Sequence, residues 1–232
     1  MSAVENTLTF ILRRGASELR QSIAIRHAVI AGWTGRDQAA LEKHIKELEA
    51  LGVARPATTP IFYRVAARRV TLASGIEAAG GESSGEVEYV LVQHEGRLYV
   101  GVGSDHTDRK VETYNVTVSK QMCEKPVAST LWAFEDVAPH WDRLVLRSWA
   151  CEGAAKVLYQ EGSVAAMRPP AELIERYAGS GALAEGTLMF CGTLAAKGGI
   201  RPSPRFEFEL EDPVRGVRIG HGYDIAALPV LG

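Results

Sequence analysis

Short runs of β-branched, aromatic and aliphatic residues recur along the chain, and most are bounded by glycine, proline or polar turn residues. Runs of this kind are typical of strands. We therefore predict strands at residues 8–12, 23–32, 61–65, 85–93, 97–102, 130–134, 141–149, 187–190, 206–210 and 217–219. This pattern predicts an α+β fold that is mainly β.

Two segments have helical rather than strand spacing. Leu41, Ile45 and Leu48 form an apolar stripe, with His44 at its edge, after a Thr34/Asp37 pair that has the spacing of a capping box; Gly52 would end this helix. Residues 169–177 begin with two prolines and precede Gly179, which predicts a second helix.

Composition and charge exclude several classes of protein. The 232 residues are 46% hydrophobic and 23% charged, and the net charge of −2 comes without a basic block that could bind nucleic acid. No run approaches the roughly 18 apolar residues of a membrane span. Three widely spaced cysteines suggest neither a disulfide framework nor a zinc site, so we expect a cytoplasmic protein without a membrane or nucleic-acid partner.

The predicted hairpin formed by residues 85–93 and 97–102 concentrates negative charge. Glu86 and Glu88 are two residues apart, so on a strand they lie on the same face. If Glu95 and Gly96 form a two-residue turn, Glu86 pairs with Asp105. Carboxylates directly opposite each other repel, and three together suit Mg²⁺ or Ca²⁺, although Glu-x-Glu also fits the solvated face of an antiparallel strand.

Further short motifs follow the hairpin. Residues 104–109 read Ser-Asp-His-Thr-Asp-Arg, Lys120 comes fifteen residues after Asp105, and 183–193 end in Cys-Gly-Thr. With the Glu-x-Glu and the strand at 207–212, these segments resemble, in the same order, the motifs of the fumarylacetoacetate hydrolase superfamily: E-x-E, N-D-x-S-A-R-D, an active-site lysine, L-x-x-G-D-x-x-x-T-G-T and the closing strand.

The resemblance implies a fold, a site and a function class. The expected fold is a β-sheet-roll core with a few short helices, as one catalytic domain over residues 1–232, with a smaller part at about 1–70 and the metal-binding core at about 71–232. The implied cation is Mg²⁺, with Mn²⁺ or Ca²⁺ as alternatives, and the implied assembly is a homodimer. The aromatic-rich region from 132 to 149 is a candidate for part of the interface.

The resemblance also assigns residue roles. The implied metal ligands are Glu86, Glu88 and Asp105. Lys120 would stabilise negative charge on a small 2-oxo or β-diketo carboxylate while an enolate forms. The residues implied to bind this small carboxylate substrate are Arg109, Gly192 and Thr193.

One departure from the family pattern affects the expected reaction. Gln38 stands where the family's hydrolases have a water-activating histidine, and an amide cannot take a proton from water at neutral pH. A C–C bond hydrolase would need another base, for which the candidates are Asp37, Glu42 and His44. We expect a hydrolase of a C–C or similar bond first. The alternative is a lyase or isomerase (a decarboxylase, a hydratase or dehydratase, or a tautomerase), which would need no such base. A non-catalytic binding protein is the third hypothesis.

Overall fold

The structure is a computed structural model that describes residues 5–50, 55–153, 155–179 and 181–231. Its strands are β1 (Asn6–Arg14), β2 (Ser17–Ile25), β3 (His27–Gly32), β4 (Ile61–Val65), β5 (Val70–Thr71), β6 (Gly75–Ala79), β7 (Ser83–Ser84), β8 (Val87–His94), β9 (Arg97–Ser104), β10 (Thr107–Asp108), β11 (Lys125–Pro126), β12 (Thr130–Ala133), β13 (Val145–Glu152), β14 (Ala155–Ser163), β15 (Thr187–Phe190), β16 (Arg205–Asp212) and β17 (Val217–Leu228). The α-helices are α1 (Gln38–Ala50), α2 (Arg109–Glu112), α3 (Val116–Met122), α4 (Phe134–Val137) and α5 (Pro170–Ala178), and 3₁₀ turns lie at Ala67–Arg69, Ala138–Arg143 and Val164–Ala166.

Eight strands form the larger sheet, in the order β2-β1-β12-β9-β8-β15-β3-β4. The β8–β9 hairpin lies near its centre, and every residue of β8 is buried. Its turn is Glu95-Gly96, with φ values of +48° and +70°. Two left-handed residues in a two-residue hairpin loop match the right-handed twist of the flanking strands, so this turn fixes the register of the hairpin.

Five strands form the second sheet, in the order β14-β13-β16-β17-β6. One hydrophobic cluster joins residues of both sheets, among them Tyr89 of β8, Phe208 of β16 and Tyr223 of β17. A second cluster contains Val90 and Val92, the residues of β8 that alternate with Tyr89. Because alternate residues of a strand point to opposite faces, the larger sheet is covered on both sides.

The short helices after β10 are held by side-chain caps. Asp108 accepts a hydrogen bond from the Val111 amide at the start of α2, and Asn115 accepts one from the Val118 amide at the start of α3. Such caps satisfy amides that have no partner within the helix. They place Lys120, in the last turn of α3, in a buried position.

The structure confirms the mainly β, α+β fold and most of the predicted elements. The hairpin pairs His94 with Arg97 and Val87 with Ser104, which is the predicted register. The predicted helix at 169–177 is α5, and Gly179 follows it with φ +64°. Strands β4, β15 and β16 also lie where the hydrophobic runs predicted them.

Several predicted boundaries were wrong. The run 23–32 is two strands: β2, which pairs with β1, ends at Ile25, and β3, which pairs with β15, begins at His27, with the amides of Arg26 and His27 both donating to the Gly186 carbonyl. Residues 138–143 form a 3₁₀ turn, so the strand there begins at Val145. The Thr34/Asp37 pair is not a capping box: Asp37 itself accepts from the amides of Ala39 and Ala40.

The dimer interface expected at 132–149 stays a prediction, because two of its tryptophans are not exposed and give it no support. Trp132 and Trp141 are buried within the chain, and Trp149 is half-buried with the Lys156 ammonium 4.1 Å from its ring centroid. The predicted end of α1 at Gly52 and the side chain of Leu48 lie outside the described residues. No helix among the described residues is long and apolar enough to cross a membrane.

Candidate functional site

Three carboxylates converge at the open end of the β8–β9 hairpin. Glu86 directly precedes β8, Glu88 is its second residue, and Asp105 directly follows β9. One carboxylate oxygen from each residue lies within 4.8 Å of the other two. The Asp105 amide donates to the Glu86 carbonyl at 3.0 Å, so the ladder continues one pair beyond the strands and holds these residues opposite each other.

Two lysines flank the innermost carboxylate. Asp105 is fully buried; Lys120 Nζ donates to its Oδ2, and Lys125 Nζ lies 3.0 Å from its Oδ1. Burial alone would raise the pKa of Asp105, but the two ammonium groups outweigh it and hold the pKa well below its ordinary value. Burial alone would lower the pKa of Lys120, but the nearby carboxylates raise it. Both side chains of this pair are therefore charged.

The surroundings of Glu88, unlike those of Asp105, disfavour the charged form of its carboxyl group. Its burial, together with the charges of Asp105 and Glu86, raises its pKa well above the ordinary value. The positive charge of Lys120, and after it the Gly192 amide, which donates to Oε2 at 2.6 Å, offset this rise in pKa only in part. The carboxylates therefore repel each other more than the neighbouring donors compensate.

The donor set fits a divalent cation. All three side chains offer carboxylate oxygens, the ligands preferred by Mg²⁺ and Ca²⁺. Asp105 Oδ1 is buried, and Lys125 Nζ lies 3.0 Å from it. A cation at this point would also relieve the repulsion that raises the pKa of Glu88.

Arg109, the last residue of the predicted loop motif, lies beside the triad. Its Nε donates to Ser84 Oγ at 2.7 Å and its Nη1 to Glu112 at 2.8 Å. Its Nη2 lies 3.3 Å from Glu86 Oε1 but makes no hydrogen bond within the described part of the chain. Arg109 thus keeps one buried donor that an anionic ligand could use.

Gly192 allows the chain after β15 to approach both Glu88 and the loop after β3. Its φ is +101°, and a Cβ atom there would lie 1.8 Å from Thr34 Oγ1. The next residue, Thr193, donates from Oγ1 to the Val87 carbonyl and accepts from Gln160 Nε2, both at 2.8 Å. Its hydroxyl therefore holds the start of β8.

A cavity of about 500 Å³ opens above the triad. Its volume is within the range of small-molecule sites. The acidic and basic side chains of its wall are Glu86, Glu88, Arg109, Glu112 and Lys120. The aromatic and aliphatic side chains of its wall are Ile30, Ala31, Trp33, Leu41, Tyr63, Val116 and Ile200.

Most of the site residues expected from the sequence meet here. The cavity wall includes Glu86, Glu88, Arg109, Lys120, Gly192 and Thr193. Asp105 lies behind this wall, fully buried, in contact with Lys120.

The candidate bases do not meet at this cavity. Asp37 is exposed and caps α1, and Glu42 pairs with Arg55 at 2.5 Å. Neither lines the cavity. The side chain of His44 lies outside the described part of the chain. Gln38, at the position of the family's histidine, is exposed, and its amide donates to the Gly35 carbonyl.

Four residues of this site have no sequence motif that identifies them. They are Lys125 on Asp105, Gln160 on Thr193, and Glu112 and Tyr63 in the cavity wall. Lys125 and Tyr63 belong to segments far from the hairpin, so only their tertiary contacts bring them in. Glu112 could have been predicted from the sequence, because it follows Arg109 by three residues on a helix and such pairs are neighbours.

Three solved structures with this fold come from proteins of known family or activity. The yeast protein ynq8, a fumarylacetoacetate hydrolase family protein, is 15% identical with a TM-score of 0.62, over 89% of this chain and 95% of that one. A 2-keto-3-deoxy-D-arabinonate dehydratase complexed with magnesium and 2,5-dioxopentanoate is 14% identical with a TM-score of 0.60, over 88% and 74%. The 4-oxalocrotonate decarboxylase from Pseudomonas putida G7, complexed with calcium and acetate, is 13% identical with a TM-score of 0.58, over 85% and 76%.

These likenesses confirm the fold expected from the sequence motifs. At such low identity they carry the architecture and no activity. No curated protein matches the sequence of this chain. A family model described as "Protein of unknown function (DUF2848)" matches residues 31–223, the greater part of the chain. The chain therefore belongs to the DUF2848 family and has the fold of the fumarylacetoacetate hydrolase superfamily.

Proposed function

We propose that the protein is a metal-dependent enzyme that converts a small 2-oxo or β-diketo carboxylate through an enolate. The observation that carries this proposal is the carboxylate triad beside the buried Lys120, at the wall of a cavity of about 500 Å³. Glu86, Glu88 and Asp105 would hold the cation, with Mg²⁺ as first choice and Mn²⁺ or Ca²⁺ as alternatives. When bound, the cation would supply Lewis-acid polarisation of the substrate carbonyl.

The residues of the chain have separate roles in this proposal. Lys120 places a positive charge beside the triad and would stabilise negative charge that develops on the carbonyl oxygen. Arg109 would bind the substrate carboxylate through Nη2, the donor that makes no hydrogen bond to any described residue. Gly192 and Thr193 would act mainly by holding Glu88 and the start of β8.

Reactions that need no activated water fit this wall best. Among the described residues it contains no histidine; its only carboxylate outside the triad is Glu112, which is paired with Arg109. In a decarboxylation, the C–C bond to the carboxylate carbon breaks and its electron pair forms the enolate. Carbon dioxide leaves, and a proton from solvent completes the product. Tautomerisation passes instead through the enolate of the intact substrate: the carbon beside the carbonyl loses a proton to solvent, and the oxygen gains one from solvent. We therefore favour a lyase or isomerase.

A hydrolase is the second candidate, and one observation favours it. Glu112 lies in the cavity wall and could serve as the base in place of the residues on α1. In this reaction, water adds to a carbonyl after Glu112 takes its proton, and the C–C bond then breaks to give a carboxylic acid and an enolate. The proton returns to the enolate carbon.

One comparison tests both candidates. Purified protein with Mg²⁺ is incubated with oxaloacetate or with an acylpyruvate, and enol absorbance, carbon dioxide and released acid are measured. Decarboxylation or tautomerisation that Glu112→Gln leaves within about threefold supports the lyase or isomerase assignment. Acid release from the acylpyruvate that falls on the order of 10²-fold in Glu112→Gln supports the hydrolase. Absence of metal-dependent turnover with both substrates contradicts the proposal.

A homodimer remains part of the proposal, on the strength of the family resemblance. The chain has a mass of 25.1 kDa, so static light scattering at micromolar concentration should report about twice that mass. A mass near 25 kDa would contradict it.

A further inference from the structure

We infer that the substrate carries an uncharged, apolar group at the end opposite its oxo-acid group. This inference rests on the proposed function and adds the substrate class. It comes from how charge is distributed over the cavity wall, and from one strained aromatic residue in that wall.

The charged groups of the wall form one connected cluster. Lys120 pairs with Asp105, and Arg109 pairs with both Glu86 and Glu112. Each cation in the described wall is therefore engaged by the triad or its neighbour. A second carboxylate on the substrate would find no separate cation there.

Arginines beside the apolar part of the wall are also engaged. Arg201 follows Ile200, and its Nη1 donates to the carbonyls of Lys197 and Gly199. Arg36 follows the wall residue Gly35, and its Nη atoms bind both oxygens of Asp142 at 2.9 and 2.8 Å while its Nε donates to the Met167 carbonyl. Arg55 pairs with Glu42 and Glu49. An anionic substrate tail would have to break these pairs, so charge complementarity disfavours it.

The rest of the wall suits an apolar tail. Ile30 is buried on β3, and Leu41 of α1, Val116 of α3 and the exposed Ile200 add aliphatic surface from three separate segments. Removing such surface from water is favourable in proportion to its area. A methylene added to the tail should therefore tighten binding roughly threefold to fourfold until the cavity is filled.

Trp33 gives this wall its largest side chain at a conformational cost. Its φ is +58°, in the left-handed region that a bulky residue rarely adopts. The Tyr63 side chain is hydrogen-bonded to Trp33, and both residues line the cavity. Strain of this kind persists when the surroundings enforce it, and it concentrates at functional sites. We therefore assign Trp33 as the residue that determines specificity for the apolar tail.

The test measures binding rather than turnover. Calorimetry with saturating Mn²⁺ compares oxalate, a probe of the oxo-acid end alone, with 2-oxobutanoate, 2-oxohexanoate and the matched dicarboxylate 2-oxohexanedioate. We expect 2-oxohexanoate to bind on the order of tenfold tighter than 2-oxobutanoate, and at least tenfold tighter than the dicarboxylate.

Two variants distinguish the effect of losing the Trp33 side chain from the effect of placing a glycine at a position of positive φ. Trp33→Gly removes the indole at a position where glycine is unstrained, so we expect unchanged oxalate affinity and a loss on the order of tenfold for 2-oxohexanoate. Glu95→Gly is the matched control, because Glu95 also has positive φ but lies in the exposed hairpin turn. It should leave the affinities for all four ligands unchanged.

The outcomes are distinct. Dicarboxylate binding equal to or tighter than that of 2-oxohexanoate overturns the inference and leaves the proposed function standing. Equal loss of oxalate and 2-oxohexanoate affinity in Trp33→Gly also overturns it, since the indole would then act on the whole site. Failure of every ligand, including oxalate, to bind in the presence of the metal removes the proposed function and this inference with it.

Discussion

The amide of Gly192 donates to Glu88 Oε2 at 2.6 Å, from a backbone conformation with φ +101° that brings the glycine against Thr34. Gly192 lies just after β15. This strand is hydrogen-bonded to β8, the strand that carries Glu88. This one contact therefore orients a carboxylate that burial and its neighbours disfavour as an anion.

Gly192→Ala should damage both the fold and the site. A Cβ atom would lie 1.8 Å from Thr34 Oγ1, and alanine is also strained at positive φ. We expect a loss of about 2–4 kcal/mol in the free energy of unfolding, measured by urea denaturation, and weaker divalent-ion binding by calorimetry.

Gly96→Ala is the control for this substitution. Gly96 has φ +70°, but a Cβ atom there has no neighbour within 4 Å. It should show the strain alone, about 1 kcal/mol, with unchanged ion binding. Equal losses of stability in the two variants would show that the contact between Gly192 and Thr34 is unimportant.

Glu88→Gln should weaken Mg²⁺ or Mn²⁺ binding by at least about tenfold, because an amide replaces one of three charged ligands. Without metal the variant should be at least as stable as the parent protein at neutral pH, since it no longer buries a repelled charge. Calorimetry and thermal denaturation test the two halves. Glu77→Gln, on the exposed part of β6, should change neither quantity, and unaltered ion affinity in Glu88→Gln would remove this residue from the site.

Asp105→Asn should destabilise the protein as well as weaken ion binding. It leaves the ammonium groups of Lys120 and Lys125 buried without their partner, and breaking a buried ion pair from one side typically costs about 3–5 kcal/mol. The double variant Asp105→Asn/Lys125→Met should recover part of this loss. Urea denaturation of the three proteins measures it, and a single variant as stable as the parent would show that the lysines are not held as charged partners of Asp105.

Lys120→Met should affect rate more than metal binding. It removes the charge beside the reacting oxygen, so kcat should fall on the order of 10²-fold or more. Metal affinity should stay the same or rise, because a nearby positive charge repels the ion. Steady-state kinetics on the substrate identified by the oxaloacetate and acylpyruvate comparison, together with calorimetry, separate these effects.

Lys125→Met is the matched comparison for Lys120. Lys125 also contacts Asp105 but is absent from the cavity wall. Its loss should alter stability and metal affinity while lowering kcat far less than the loss of Lys120. Full turnover in Lys120→Met would show that Lys120 is a structural lysine.

The local pattern of the chain was enough to predict that Glu86, Glu88 and Asp105 lie together. A two-residue turn at Glu95-Gly96 sets the pairing of β8 with β9, and the alternation of side chains along a strand puts Glu86 and Glu88 on the same face. Both rules act between residues close in sequence. The α5 helix was predictable for the same reason, since Pro170 and Gly179 mark its ends.

The features that the sequence did not predict depend on contacts between residues that are distant in the chain. The break between β2 and β3 is made by the Gly186 carbonyl, more than 150 residues away in the chain. Lys125 is buried against Asp105 and the His106 carbonyl, and Trp132 is covered by the second sheet. No hydrophobic run carries such information, because it arises from packing between elements rather than within them.

The turn at Glu95-Gly96 makes the far end of its hairpin intolerant of a change in length. Adding or deleting one residue there would shift β8 against β9 by one position and turn every side chain of one strand to the opposite face. Asp105 would then no longer lie opposite Glu86, although the altered residue is some nine positions from either carboxylate. A change confined to an exposed tip, remote from the cavity, would thus erase the site while leaving each of its residues in the chain.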